Sequence, residues 1–164
     1  MADSMASGLD FYQGWERYQD LLIQAISDLT PEQLNYRTAD HLRSIGETVR
    51  HIIGARARWL HFVLGFDGPA LVELGRWDRD DMPERTSQEL TEGLRSSWAV
   101  LRDALAGWTS ADLAVMVPNV DPDPGEPEEF TRQWVIWHLI EHDLHHGGEI
   151  TQTLGTQGLS GADI

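Results

Sequence analysis

The chain contains no cysteine and no lysine among its 164 residues. Without cysteine it has no disulfide, no thiolate metal ligand and no cysteine nucleophile. Without lysine its positive charge rests on scattered arginines, and 12 basic residues face 27 acidic ones, for a net charge of −15. A duplex-binding surface needs a basic patch that displaces counterions. Nucleic acid and an anionic membrane surface are therefore disfavoured as partners, and the acidity reads as a solubility feature. No apolar run reaches the ~20 residues that span a bilayer. The opening MADSMASG has neither the basic nor the apolar region of a signal peptide. The expectation is a cytoplasmic protein.

What is present is enough for a core. Hydrophobic residues make up 41% of the chain and seven of them are Trp, which argues against disorder. The length suits one compact domain over 1–164, with loose tails at 1–7 and 156–164. Over 9–29, Tyr12, Trp15, Tyr18, Leu22, Ile26 and Leu29 recur at helical steps. Thr30-Pro31-Glu32-Gln33 reads as a capping box with Pro at the first helical position, opening a short turn. Residues 36–43 carry no periodicity.

Ser44-Ile45-Gly46-Glu47 is a second capping box. It opens a helix to about residue 64, which Gly65 ends. Residues 66–85 read as a long connection. Thr86 and Glu89 open a third helix to about 106, and Thr109 with Asp112 caps another short turn. Residues 117–129, rich in Pro and acids, cannot be helical. They do not match a calcium loop either. The last helix, 131–154, is apolar nearly all round, which predicts a central position with Trp134 and Trp137 near the core. No strand pattern stands out. The predicted fold is all-α, an antiparallel four-helix bundle.

Four of the seven histidines fall within nine residues: His138, His142, His145 and His146. At about 100° per residue they share roughly 100° of helix surface, with Glu149 in the same arc. Residues four apart point the same way, so His142 and His146 can grip one ion, as can His138 with His142. Core histidines are common singly, but four on one apolar helix are costly to bury without a partner. The segment HDLHH resembles a metalloprotease helix only superficially. Asp143 is a methylene shorter than the usual Glu base, and no third histidine follows at the required spacing. Further ligands in a bundle come from facing helices, and His51 on the second helix is the natural candidate. His61 faces away from it, and His41 lies in irregular chain, so both read as surface or packing residues.

Two segments then resemble one family over nearly the whole chain. LTPEQLNYRTADHLRSIGETVRHIIGARARWL resembles the first two helices of the DinB-like superfamily, with one His followed eight residues on by Trp. VIWHLIEHDLHHGGEI resembles its last-helix motif, an H-x-x-x-H pair ending in His-His. The resemblance implies a divalent metal held by His51, His142 and His146, with His138 and His145 as neighbours. It also makes a homodimer plausible. Around the ligands this chain differs: Arg56 stands where relatives often have Glu, and Gly147-Gly148-Glu149 replaces Arg-Gly-Gln.

Three imidazoles leave coordination positions open, the arrangement of a catalytic rather than a structural ion. Zn²⁺, Ni²⁺ and Fe²⁺ all accept such a set. The resembling family includes transferases of low-molecular-weight thiols, and with no cysteine in the chain any sulfur nucleophile must arrive as a small-molecule substrate. The expected activity is metal-dependent thiol transfer. The alternatives are metal-dependent hydrolysis and a non-catalytic metal-binding or stress-response protein. Glu149 is the candidate for proton transfer, or else a partner for an imidazole N–H. Arg58 is the candidate for an anionic substrate group, or else an ion-pair partner.

Overall fold

A computed structural model of the chain describes residues 7–120, 125 and 127–163. Residues 1–6 of the expected tail and residues 121–124 and 126 of the acidic stretch lie outside the described residues.

The described residues are mostly helical. The first predicted helix divides into α1 (Gly8–Phe11) and α2 (Gln13–Ile26), because Tyr12 leaves helical geometry at φ −117. Then come α3 (Pro31–Leu34) and α4 (Ile45–Arg58), and α4 continues as a π-helical turn over Trp59–Val63. The Ser44 capping box closes as the sequence implies: the Glu47 N–H donates to Ser44 Oγ, and the Ser44 N–H donates to Glu47 Oε2 at 2.7 Å. The left-handed backbone of Gly65, φ +75, ends the segment. Next are α5 (Pro69–Leu74), α6 (Ser87–Gly107) and α7 (Ser110–Leu113). Strand β1 (Met116–Pro118) pairs antiparallel with β2 (Glu129–Thr131), placing Val117 opposite Phe130. The chain then enters α8 (Arg132–Thr156).

Helix α4 packs against both α6 and α8, and α2 touches the same two helices. The core they enclose includes Leu22, Ile26, Val49, Ile52, Ile53, Leu60, Leu90, Leu94, Leu101, Ile136, Leu139 and Leu154. No helix among the described residues is long and apolar enough to cross a membrane.

Four expectations need correction. The connection 66–85 contains α5, whose Leu71 and Leu74 are buried. A strand pair exists, because Val117 and Phe130 turn inward from an otherwise exposed ribbon too short to show alternation. Trp134 and Trp137 are not in the core but 40% and 56% exposed. Val135, Ile136, Leu139, Ile150 and Leu154 give α8 its buried face, and the two indoles fall beside it. After Thr156, the chain is held rather than loose over its described part. Leu159 packs on the core, and the Ala162 N–H donates to Thr151 Oγ1 at 3.1 Å.

A charged pair lies in this core. Arg56 on α4 and Asp143 on α8 are both fully buried. Arg56 donates from Nη2 to Asp143 Oδ2 at 2.6 Å and from Nε to Oδ1 at 3.0 Å. Trp15 Nε1–H donates to Asp143 Oδ2 at 2.7 Å, and Arg56 Nη2 also donates to Gln19 Oε1 at 2.6 Å. Nearby, Gly147 comes so close to the Tyr18 hydroxyl that a Cβ there would collide with it. Removing one partner of such a pair strands the other charge in a dry interior. Arg56→Met should therefore destabilise the fold by about 3–5 kcal/mol. Urea denaturation should show a far larger loss than for Arg102→Met, whose parent residue makes only an exposed pair with Asp103.

Candidate metal centre

Three of the sequence-selected histidines meet between α4 and α8. The candidate ligand atoms of His51, His142 and His146 all lie within 4.8 Å of one another. His51 comes from the middle of α4. His142 and His146, one turn apart on α8, close the other side. His146 meets both other rings edge to face, His51 and His142 are tilted at 48°, and all centroids are 4.5–4.9 Å apart.

Carboxylates fix which nitrogens face inward. His51 Nδ1 is 2.9 Å from Asp78 Oδ2, and His146 Nδ1 is 2.7 Å from Glu149 Oε2. In the neutral ring the proton then sits on Nδ1 and the Nε2 lone pair stays free. His51 Nε2 and His142 Nε2 are 3.1 Å apart. Two ligand atoms each roughly 2.1 Å from one ion stand about 3.0–3.4 Å apart at right-angled to tetrahedral geometry. The donor set therefore fits a divalent transition ion of nitrogen preference.

Asp78 was not visible in the sequence. It lies in the connection after α5, in a run of four acids among residues 78–84 that gives no reason to prefer one. Two features of the fold seat it. Arg58 donates from Nη1 to Asp78 Oδ1 at 2.6 Å, from Nη2 to Oδ2 at 2.9 Å, and from Nη1 to the Gly75 carbonyl at 2.7 Å. Gly54, one turn before Arg58, leaves the space: a Cβ there would stand 2.8 Å from Asp78 Oδ1. Arg58, considered for an anionic substrate group, is thus engaged in holding the carboxylate behind His51. Burial works to raise the Asp78 pKa, but hydrogen bonds from His51 and Arg58 outweigh it and hold the group well below the usual carboxylate range.

The remaining histidines separate clearly. His145 has a 68% exposed side chain and reaches Glu149 Oε1 at 3.3 Å. His138 lies outside the three-ring group, stacked on Trp134 at 5.3 Å and bonded to Glu141 at 3.1 Å. His61 caps the Phe66 carbonyl at 3.0 Å, and His41 is exposed. Beside the site runs an aromatic stripe. Phe130 stacks on Trp134 at 3.9 Å, Trp134 on His138, and Trp59 from the π-helical turn approaches His138 at 4.7 Å. Trp134, expected near the core, instead joins Trp59 and Phe130 in a partly open wall leading toward His142.

With this geometry in hand, comparison with known proteins is decisive for the family. The DinB superfamily model matches residues 14–150. The chain belongs to the DinB superfamily. Two solved structures share its fold. One is a DinB-like protein from Bacillus cereus ATCC 10987, at 22% identity and TM-score 0.70, covering 94% of this chain and 95% of that one. The other is a conserved protein from Enterococcus faecalis, at 15% identity and TM-score 0.61, covering 90% and 95%. No curated protein matches the chain. The three histidines that the DinB-like motif implied are the ones the fold brings together.

Burial favours the neutral form of His142 and His146. Burial pushes the His142 pKa down to about 3, assisted by the charges that His146, His51 and His138 would carry and by Arg56. Burial also lowers His146, against the opposing pull of Glu149. A histidine whose folded pKa is depressed binds fewer protons folded than unfolded. Its stabilising contribution is complete above ~6.5 and is lost as pH falls from there toward 3. Metal-free protein should therefore lose urea stability steadily between pH 7 and pH 4. His142→Leu should flatten that acid slope, and equal slopes in the two proteins would refute the assignment.

Proposed function

We propose that this DinB superfamily member is a metal-dependent enzyme, built on an antiparallel four-helix bundle, that transfers a small thiol to an electrophilic carbon. The observation that carries the reading is the set of three imidazoles, two of them backed by carboxylates through Nδ1. His51, His142 and His146 would hold the ion, which is Zn²⁺, Ni²⁺ or Fe²⁺. When bound, such an ion acts as a Lewis acid and favours the deprotonated form of a thiol or water.

The chain's own residues supply the rest. Asp78, held by Arg58, fixes the His51 ring. Glu149 fixes the His146 ring and carries the exposed carboxylate closest to the ligands, the assigned relay for the thiol proton. Trp59, Trp134 and Phe130 give an apolar wall for the acceptor. In the overall step the thiol loses its proton and sulfur forms a thioether bond to carbon. The displaced group leaves with the proton. A cytoplasmic setting, where thiols are kept reduced, would supply the substrate. Trp137 and Leu144, seven residues apart on the outer side of α8 and both exposed, are apolar surface that the homodimer implied by the family resemblance would cover.

The tests separate metal, chemistry and assembly. His142→Ala and His146→Ala should abolish stoichiometric metal in elemental analysis of purified protein, and His51→Ala should weaken it strongly. Asp78→Asn should lower affinity by about 10–100-fold, the usual effect of losing a carboxylate behind a ligand imidazole. Metal retained in full by His142→Ala would end the proposal. Loaded protein should consume an electrophile only when a thiol is added and should yield a thioether. Turnover in thiol-free buffer would make the protein a hydrolase. No turnover with either, together with thermal destabilisation of the His variants, would leave a structural metal.

A further inference from the structure

Beyond the three-histidine centre, a second group of potential ligands lies on the exposed side of α8: His145, His146 and Glu149. Its two contacts differ in kind. His146 Nδ1 to Glu149 Oε2, at 2.7 Å, is too short for two atoms sharing one ion and is a direct hydrogen bond. His145 Nε2 to Glu149 Oε1, at 3.3 Å, matches the separation of about 3.0–3.4 Å expected for two donors on one transition ion. The pair stands at i and i+4, so both side chains rise from one face of the helix.

We propose that His145 Nε2 and Glu149 Oε1 form an outer site for a divalent transition ion, with Glu149 bridging that ion and the His146 ring of the inner centre. The ion replaces the proton shared between His145 and Glu149, and the displaced proton passes to water. The His145 ring is exposed, so water reaches the ion at this site. Water completes the coordination, which makes the site weak and exchangeable. Arg43 also acts on Glu149, holding its pKa down together with His146 and His145, and opposes an added cation. The outer site stands on its own geometry. Its coupling to the inner centre rests on the three-histidine reading: a cation on Oε1 draws charge from the carboxylate that orients His146, so each ion weakens the other.

A rival pair exists on the same helix, His138 Nδ1 and Glu141 Oε1 at 3.1 Å. There the imidazole is stacked on Trp134. Equilibrium dialysis of the full chain against Zn²⁺ separates these readings. Wild type should bind one ion tightly and one weakly, and His145→Ala should lose only the weak one. His138→Ala should keep both, and Arg43→Ala should tighten the weak one. In His51→Ala the tight ion should be lost and the weak ion retained more tightly; an unchanged weak affinity would overturn the coupling. A wild type with only the weak ion, lost in His145→Ala, would uphold this site and overturn the inner one. A weak ion that survives His145→Ala, or disappears in His138→Ala, or is missing from wild type, overturns the outer site. His145 is exposed, so its replacement should leave the helical circular dichroism unchanged.

Discussion

The Arg56–Asp143 pair is the constraint on which the rest of the molecule depends. Burying two charges costs several kcal/mol each unless geometry and hydrogen bonds are nearly complete. Here Asp143 receives Nε and Nη2 of Arg56 and the Trp15 indole, while Gln19 takes a further bond from Arg56. Those residues come from α2, α4 and α8, so these bonds form together only when three helices hold one mutual register. A slip of α8 by one residue would break every bond that Asp143 accepts.

That register is also what places the ligands. His51 precedes Arg56 by five residues on α4, and Asp143 sits between His142 and His146 on α8. The ion pair and the histidine group are thus adjacent faces of one helix–helix contact. Hydrophobic packing alone tolerates small shifts, because apolar contacts are not directional. A bidentate guanidinium–carboxylate contact is directional, and it turns a general packing of α4 on α8 into a fixed separation between Nε2 atoms. The Arg58–Asp78 contact works in the same manner one layer out, tying the connection after α5 to the ring of His51.

Periodicity and caps made the long helices readable, because each signal is local: Ser44 with Glu47, Thr86 with Glu89, and apolar steps of three and four. The histidine group was readable for the same reason, since His142 and His146 lie a turn apart and one family motif joins them to His51. What escaped was set by contacts distant in sequence. Asp78 owes its place to Gly54 and Arg58. The ribbon exists because Val117 and Phe130 find each other across a Pro-rich stretch. Trp134 and Trp137 misled in the opposite direction: hydrophobicity put them inside, but α8 had enough aliphatic residues to fill its core face. Arg56 showed only as a departure from the family pattern, whereas its partner Asp143 had been weighed only as a poor protease base.

The charges around the centre largely cancel in pairs. Arg56 offsets Asp143 in the core and Arg58 offsets Asp78 behind His51. Burial pushes down the pKa values of two of the candidate ligand imidazoles, His142 and His146. That leaves Glu149 as the unbalanced carboxylate nearest the ligands, with Arg43 only partly opposing it. A divalent ion would bring two positive charges against that one negative charge, in surroundings where uncompensated charge is expensive. The remaining positive charge favours one anionic donor over a neutral one. A thiolate or hydroxide meets that demand and a further imidazole would not, so the electrostatics of the shell, and not only the count of ligands, argues for an open position that serves a substrate.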